Sequence, residues 1–150
     1  MISALLTKKV VLEGFNNMNR GKIAPLLSRW EDNATLSYPG NMPASGDFKG
    51  KKTIEQWFRT FFEVFPQRKF TVNSVGIQNV FDFSGTNVIS IEWDVVMTDH
   101  EGQDYMNRGV TVIHSVNGKA IAVRDYYFDI DALKEAWKVG SNNQEDRKAS

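Results

Sequence analysis

Three carboxylates, Glu92, Asp94 and Asp125, sit inside stretches of aromatic and β-branched residues in the second half of the chain. Burying a charge without a partner costs several kcal/mol. Acids in such a setting therefore either face water or are kept for proton chemistry. The segment "VRDYYFD", 123–129, raises the question most sharply, because Asp125 lies between Arg124 and two tyrosines. A carboxyl raised towards neutrality by burial or by a second acid is suited to act as a general acid or base. The structural alternative is that Asn107, Tyr127, Arg124 or backbone groups satisfy these acids, which then do no chemistry.

Hydrophobic periodicity supplies the elements that carry these residues. Leu5, Leu6, Val10, Val11, Phe15 and Met18 follow helical spacing up to Asn19-Arg20-Gly21, and a shorter helix is predicted over 22–30. "NATLSYP" reads as a short strand, and 39–50 reads as a loop. Ile54, Trp57, Phe58, Phe61, Phe62 and Phe65 form one broad face of a core helix stopped by Pro66. Beyond it the period changes to two, predicting strands over 70–80, 87–98, 105–116 and 120–128 joined by short turns, and hence antiparallel. A last helix opens at Asp129 or Asp131, with Leu133 and Trp137 on one face. Three helices followed by a strand meander predict an α+β domain over 1–138, with the helices on the concave side of a curved antiparallel sheet. The polar stretch 139–150 is expected to be a flexible tail.

Turn arithmetic then sets the faces. A three-residue loop Val116-Asn117-Gly118 places Ser115 opposite Lys119, and a four-residue loop over 99–102 places Thr98 opposite Gln103. Glu92, Gly109 and Asp125 then form one row, and Asp94, Asn107 and Tyr127 the next. Gly109 would leave a gap between two carboxylates whose backbones are about 10 Å apart. Their repulsion, roughly 1.7 kcal/mol at an effective dielectric of about 20, would raise one of them by about one pKa unit. The opposite face would carry Ile89, Ile91, Trp93, Val95, Met97, Val110, Val112 and His114, an apolar convex surface suited to a second copy of the chain.

Composition narrows the function classes. The chain has 150 residues, 41% hydrophobic and 24% charged, with eighteen basic residues against eighteen acidic and no cysteine. That excludes disulfides and thiolate chemistry, and the scattered charge offers no footprint for nucleic acid or a membrane surface. No apolar run reaches the ~20 residues of a membrane span, and "MISALLTKK" does not read as a secretory leader, so a cytoplasmic location is expected. His100 and His114 lack metal-ligand spacing, so no metal site is expected.

The "GKKTI" entry to an aromatic helix ending in Phe-Pro, together with "GKAIAVRDYYFD" near the end, resembles the nuclear-transport-factor-2-like superfamily over residues 1 to about 137. Within it the chain is similar to the SnoaL-like polyketide cyclases and the limonene-1,2-epoxide hydrolases. "KKVVLEGF" and "LLSRWEDNATLSYP" are similar to the opening of the latter. The resemblance implies a cone-shaped, cystatin-like sheet around a pocket. In the hydrolases the closing-strand and middle-strand aspartates fall on Asp125 and Asp94, the linking arginine on Glu92, and the water-holding pair on Thr35 and Ser37. The cyclases need only the closing-strand acid. Ketosteroid isomerases match less well, with their base position at Tyr38 and their oxyanion tyrosine near Gly14.

Together these readings predict a cofactor-independent acid/base enzyme for an apolar small molecule, of cyclase or isomerase type. Asp125 and Asp94 are the candidate catalytic residues, and Glu92, Asn107, Tyr127, Thr35, Ser37, Trp57 and Phe61 the candidate substrate contacts. The alternatives are an epoxide hydrolase variant without the arginine, and a non-catalytic ligand-binding or dimerisation module whose pocket would be filled. An open cavity of roughly 300 Å³ or more above Asp125 would count against that module.

Overall fold

The computed structural model describes residues 4–150, and part of the apolar N-terminus, 1–3, lies outside the described residues. The elements run α1 (Ala4–Asn19), α2 (Ile23–Leu27), β1 (Trp30–Tyr38), β2 (Gly46–Lys49), α3 (Lys51–Val64), β3 (Gln67–Ile77), β4 (Asn87–Thr98), β5 (Asp104–Val116), β6 (Lys119–Tyr127) and α4 (Ile130–Ala149). They build one mixed α+β arrangement. The six-stranded curved sheet has the order β2-β1-β6-β5-β4-β3, antiparallel except where β1 runs parallel to β6. Bulges after Val72 on β3 and after Ala120 on β6 add a residue to one strand of a pair, which bends the sheet.

Helix α3 follows the predicted spacing, with Ile54, Trp57, Phe58, Phe61 and Val64 buried against the concave face. Phe65 leaves the helix at φ −119°, as a residue before proline must. The end of α1 is pinned to β3 by paired bonds between Asn19 and the Phe70 backbone, at 3.0 and 2.8 Å. Buried Arg68 adds bonds to the carbonyls of Met18 and Phe65, each 2.9 Å, and lies over the Phe62 ring. These anchors hold α1 over the sheet as one wall of a cavity.

Three expectations are corrected. The 39–50 stretch is not all loop, because Gly46–Lys49 pairs with β1 as a short edge strand. Residues 139–149 are helical and docked. Gly140, which reads as a stop signal, packs where a Cβ would lie 2.7 Å from Val64 Cγ1, and Asn143 and Gln144 donate to Asp99 and Glu63. The third correction is the register. The loop after Thr98 is five residues, not four, so Thr98 pairs with Asp104 and Trp93 with Gly109. A slip of one residue turns every side chain of a strand to the other face. Ile89, Ile91, Trp93, Val95 and Met97 therefore form the concave core, and Glu92 and Asp94 stand on the exposed convex side. Val110, Val112 and His114 do share that convex side, but with the apolar residues of β4 turned inward it is not the apolar surface expected. It mixes Glu92, Asp94, Arg108 and Arg124 with exposed Met106 and Tyr126.

Asp99 sets the loop length. Its Oδ1 accepts from the Glu101 and Gln103 amides at 2.9 and 3.0 Å, and its Oδ2 from the Tyr105 hydroxyl and Asn143 at 3.1 and 3.2 Å. Asp99→Ala leaves these donors stranded around a side chain that is 3% exposed. The expected loss is about 2 to 3 kcal/mol in denaturant unfolding, with amide protection at the end of α4 falling first.

Candidate functional site

The alternation of β6 sets the direction of Asp125: Val123, Asp125 and Tyr127 point inward, while Arg124 and Tyr126 point out. Its strand is flanked on both sides, by β1 and β5, so the backbone around it is paired and rigid. Directly opposite on β5 is Thr111, and two residues further along, Gly109 faces Tyr127. The inner row therefore reads Ile91, Thr111, Asp125, and the next Trp93, Gly109, Tyr127.

A chain of side-chain hydrogen bonds crosses these rows. Trp93 Nε1 donates to Thr111 Oγ1 at 2.9 Å, and Thr111 Oγ1 donates to Asp125 Oδ1 at 2.7 Å. The direction is fixed by chemistry. An indole N–H can only donate, so the threonine oxygen accepts from it and sends its single proton to the carboxylate. Oδ1 is thus held as an acceptor, and Oδ2 is the oxygen available for proton transfer. Among the described residues Thr111 is the hydrogen-bond partner of this carboxyl. The residue keeps some accessible surface towards the cavity, but its carboxyl lies deep in the protein. Removal from water pushes its pKa up to about 6, against the opposing pull of the Thr111 bond.

Above the carboxyl is a cavity of about 420 Å³, enclosed by α1, α2, α3 and the concave sheet. Leu36, Trp57, Phe58, Phe61, Phe70 and Val123 give it apolar walls, and Asp125, Thr111, Tyr38 and Tyr127 supply polar atoms at the floor. Two glycine-bearing loops reach its rim: Gly85 and Gly118 are in contact, with the Gly118 amide donating to the Gly85 carbonyl at 3.1 Å. The Tyr38 hydroxyl accepts from Trp137 Nε1 at 3.0 Å. Burial raises the values of both Tyr38 and Tyr127, which keeps the two hydroxyls protonated and able to donate.

Of the residues singled out in the sequence, Asp125, Tyr127, Trp57 and Phe61 meet at this cavity. Five do not. Glu92 and Asp94 are on the convex face, bonded to Ser74 and Asn73 of β3 at 3.3 and 3.2 Å. Thr35 and Ser37 alternate outward on β1, with Ser37 donating to Asp47 at 2.6 Å. Asn107 faces inward but is spent on the corner before α4, donating to the Asp129 carbonyl at 2.7 Å and accepting from its amide at 3.1 Å. Glu92, Asp94 and Asp125 therefore form no oxygen cluster, and among the described residues no group of three or more His, Cys, Asp or Glu is placed to hold a metal ion. Thr111 and Trp93 were missed as site residues. The signal was present, because the apolar alternation of β4 points Trp93 to the core whatever the loop length.

Residues 11–123 match the family model described as SnoaL-like domain. No curated protein matches the sequence. Among solved structures, Bal32a from a soil-derived mobile gene cassette is 21% identical with a TM-score of 0.74, over 87% of this chain and 95% of that one. TerC, co-crystallised with polyporic acid, is 16% identical with a TM-score of 0.71, over 87% and 96%. A candidate SnoaL-like polyketide cyclase from Jannaschia sp. CCS1 is 16% identical with a TM-score of 0.68, over 85% and 88%. At these identities the likeness to the solved structures is one of fold. No helix among the described residues is long and apolar enough to cross a membrane.

Proposed function

The chain belongs to the SnoaL-like domain family, and we propose that it is a cofactor-independent acid/base enzyme of the cyclase or isomerase kind, moving a proton on an apolar, carbonyl-bearing small molecule. The observation that carries this reading is a single carboxyl at the floor of an apolar cavity, one oxygen tied by Thr111 and the other open, with its pKa pushed up to about 6. A base near that value is mostly ionised at neutral pH yet binds a proton strongly enough to take one from carbon next to a carbonyl. Asp125 Oδ2 removes that proton, and the C–H electron pair passes into the enolate. In an isomerase the same carboxyl returns the proton at another carbon. In a cyclase the enolate carbon attacks a second carbonyl of the same molecule, and protonated Asp125 neutralises the new alkoxide. Either way the carboxyl ends as it began.

The cavity supports a substrate of this kind. Its volume lies within the range of small-molecule sites, and its lining is mainly apolar and suited to dispersion contacts, with Glu13, Arg29 and Asp82 also on it. That openness weighs against a filled, non-catalytic module. The hydrolase alternative loses support with its second acid, since Asp94 and the arginine position, Glu92, are on the other face. One incubation distinguishes the readings. A panel of apolar diketones and enolisable ketones is held with the protein in deuterium oxide, and an apolar epoxide in water carrying heavy oxygen. Deuterium entering the carbon beside the carbonyl, in wild type and not in Asp125→Asn, is the expected result. Heavy oxygen appearing in a diol, with no carbon exchange, would replace it with the hydrolase reading.

A further inference from the structure

Resting on the reading of Asp125 as the acid/base, the geometry points to Tyr38 as a second catalytic group, whose hydroxyl donates to the carbonyl oxygen of the substrate and holds the negative charge that develops there. The placement follows from the parallel pairing of β1 with β6. Leu36 pairs with Val123 and Ser37 with Arg124, so the next position on each strand sets Tyr38 beside Asp125. Adjacent strands are ~4.8 Å apart, and alternation sends both side chains inward. Tyr38 is 4% exposed and lines the cavity with Asp125. A carbonyl oxygen and the hydrogen on its neighbouring carbon are separated by a few bonds, a span that two side-by-side groups can bracket.

Proton counting says why a donor is left over. Trp137 Nε1 donates to the Tyr38 oxygen at 3.0 Å, which uses an acceptor site and leaves the phenol its own proton. Asp125 takes its bond from Thr111 instead, so that proton is not spent on the carboxylate. Receiving a hydrogen bond polarises the Tyr38 O–H and strengthens it as a donor. Charge developing on a substrate oxygen would then be met by a donor already in place, without the rearrangement that water requires. The remainder of the Tyr38 ring is packed by Trp57, Tyr127 and Trp137, with centroids 4.7, 5.5 and 5.9 Å away, so the hydroxyl has little freedom to wander. Trp137 is a positioning residue, acting only through Tyr38.

The test needs no natural substrate. 4-Nitrophenol, whose ionised form is coloured, is bound to the wild-type protein at about pH 8, above the raised carboxyl value of Asp125. 4-Nitroanisole, which cannot ionise, reports the cavity alone. Tyr38→Phe is expected to weaken the phenolate by about tenfold or more relative to the anisole, the loss of one charge-assisted bond. Tyr127→Phe should cost less, since the Tyr38 proton remains. Asp125→Asn should strengthen phenolate binding by relieving like-charge repulsion, and this arm reports on the acid/base reading separately. An unchanged phenolate-to-anisole ratio in Tyr38→Phe, or no phenolate binding by wild type that does bind the anisole, overturns the role of Tyr38 while leaving Asp125 to be judged by its own arm. Should Tyr38→Phe fail to fold, Trp137→Phe takes its place, with a smaller loss of the same ratio expected and no change overturning the proposal.

Discussion

Asp125→Asn is expected to lower turnover of an enolisable apolar ketone by ~10²- to 10⁴-fold and, in the same molecule, to make the fold more stable at neutral pH. The two effects share a cause. In the folded protein the carboxyl is taken out of water and its pKa is pushed up to about 6, so the native state holds this proton more tightly than the unfolded chain does. The stability contributed by the group is complete below the unfolded value near ~4 and is lost as pH rises through about 6. Above that the charged side chain is a net cost to the fold. Asparagine keeps an oxygen to accept from Thr111 but carries no charge. Denaturant titrations should show the variant about 1 to 2 kcal/mol more stable at neutral pH, with the fall in stability between pH ~4 and ~6 removed. For the wild type, kcat/KM should rise with pH through about 6 and then level, as expected for a base. A variant that is both fully active and no more stable would mean that this carboxyl is neither desolvated nor used.

The second large effect is expected at a residue with no side chain. A Cβ on Gly109 would collide with the Tyr126 carbonyl oxygen and lie 2.8 and 3.1 Å from Cη2 and Cζ2 of Trp93. The indole has nowhere to go. It is fully buried between Phe70 and Tyr127, with ring centroids 5.0 and 4.9 Å away. Gly109→Ala should therefore cost about 3 kcal/mol, or roughly 6 to 12 °C in melting temperature. It also disturbs the donor that orients Thr111. With the Thr111 bond weakened, the one influence that lowers the Asp125 value is lost, and the rate profile should move to higher pH. Wild-type melting and an unshifted profile in this variant would separate the packing around Trp93 from the chemistry at Asp125.

How much of this was legible in the sequence depended on whether a feature was set by local periodicity or by the length of a turn. The face of α3 and the bounds of β4 follow from local alternation, and they stand in the structure. Register does not follow so simply. The turn after β5 is a two-residue Asn-Gly turn, with φ of 51° at Asn117 and 78° at Gly118, followed by a bulge on β6. Reading it as three residues was an error of one position, the bulge added another, and the two together restored the correct face. The loop after β4 had no second error to offset the first. Asp99 adds a fifth residue by folding its carboxylate onto two amides, and that single position removed Glu92 and Asp94 from the site. Gly109 was correctly singled out for a missing side chain. What fills the space is an indole, not water between two acids. Gly140 shows the same limit in reverse, since a helix-ending residue by local preference is instead a place where α4 comes close to α3.

The bond between Trp137 and Tyr38 joins residues 99 positions apart, and β6 lies between β5, which directly precedes it, and β1, the first strand of the chain. Contacts of such separation are slow to form, because the intervening chain must first be brought to heel against its own entropy. Until β1 closes on β6, Asp125 remains in water and behaves as an ordinary acid, and Tyr38 has no companion. The proposed proton chemistry therefore depends on the pairing of β1 with β6. A newly made or partly opened chain would carry the same residues without the raised carboxyl on which the proposal rests, so the activity is expected only in molecules whose sheet has closed.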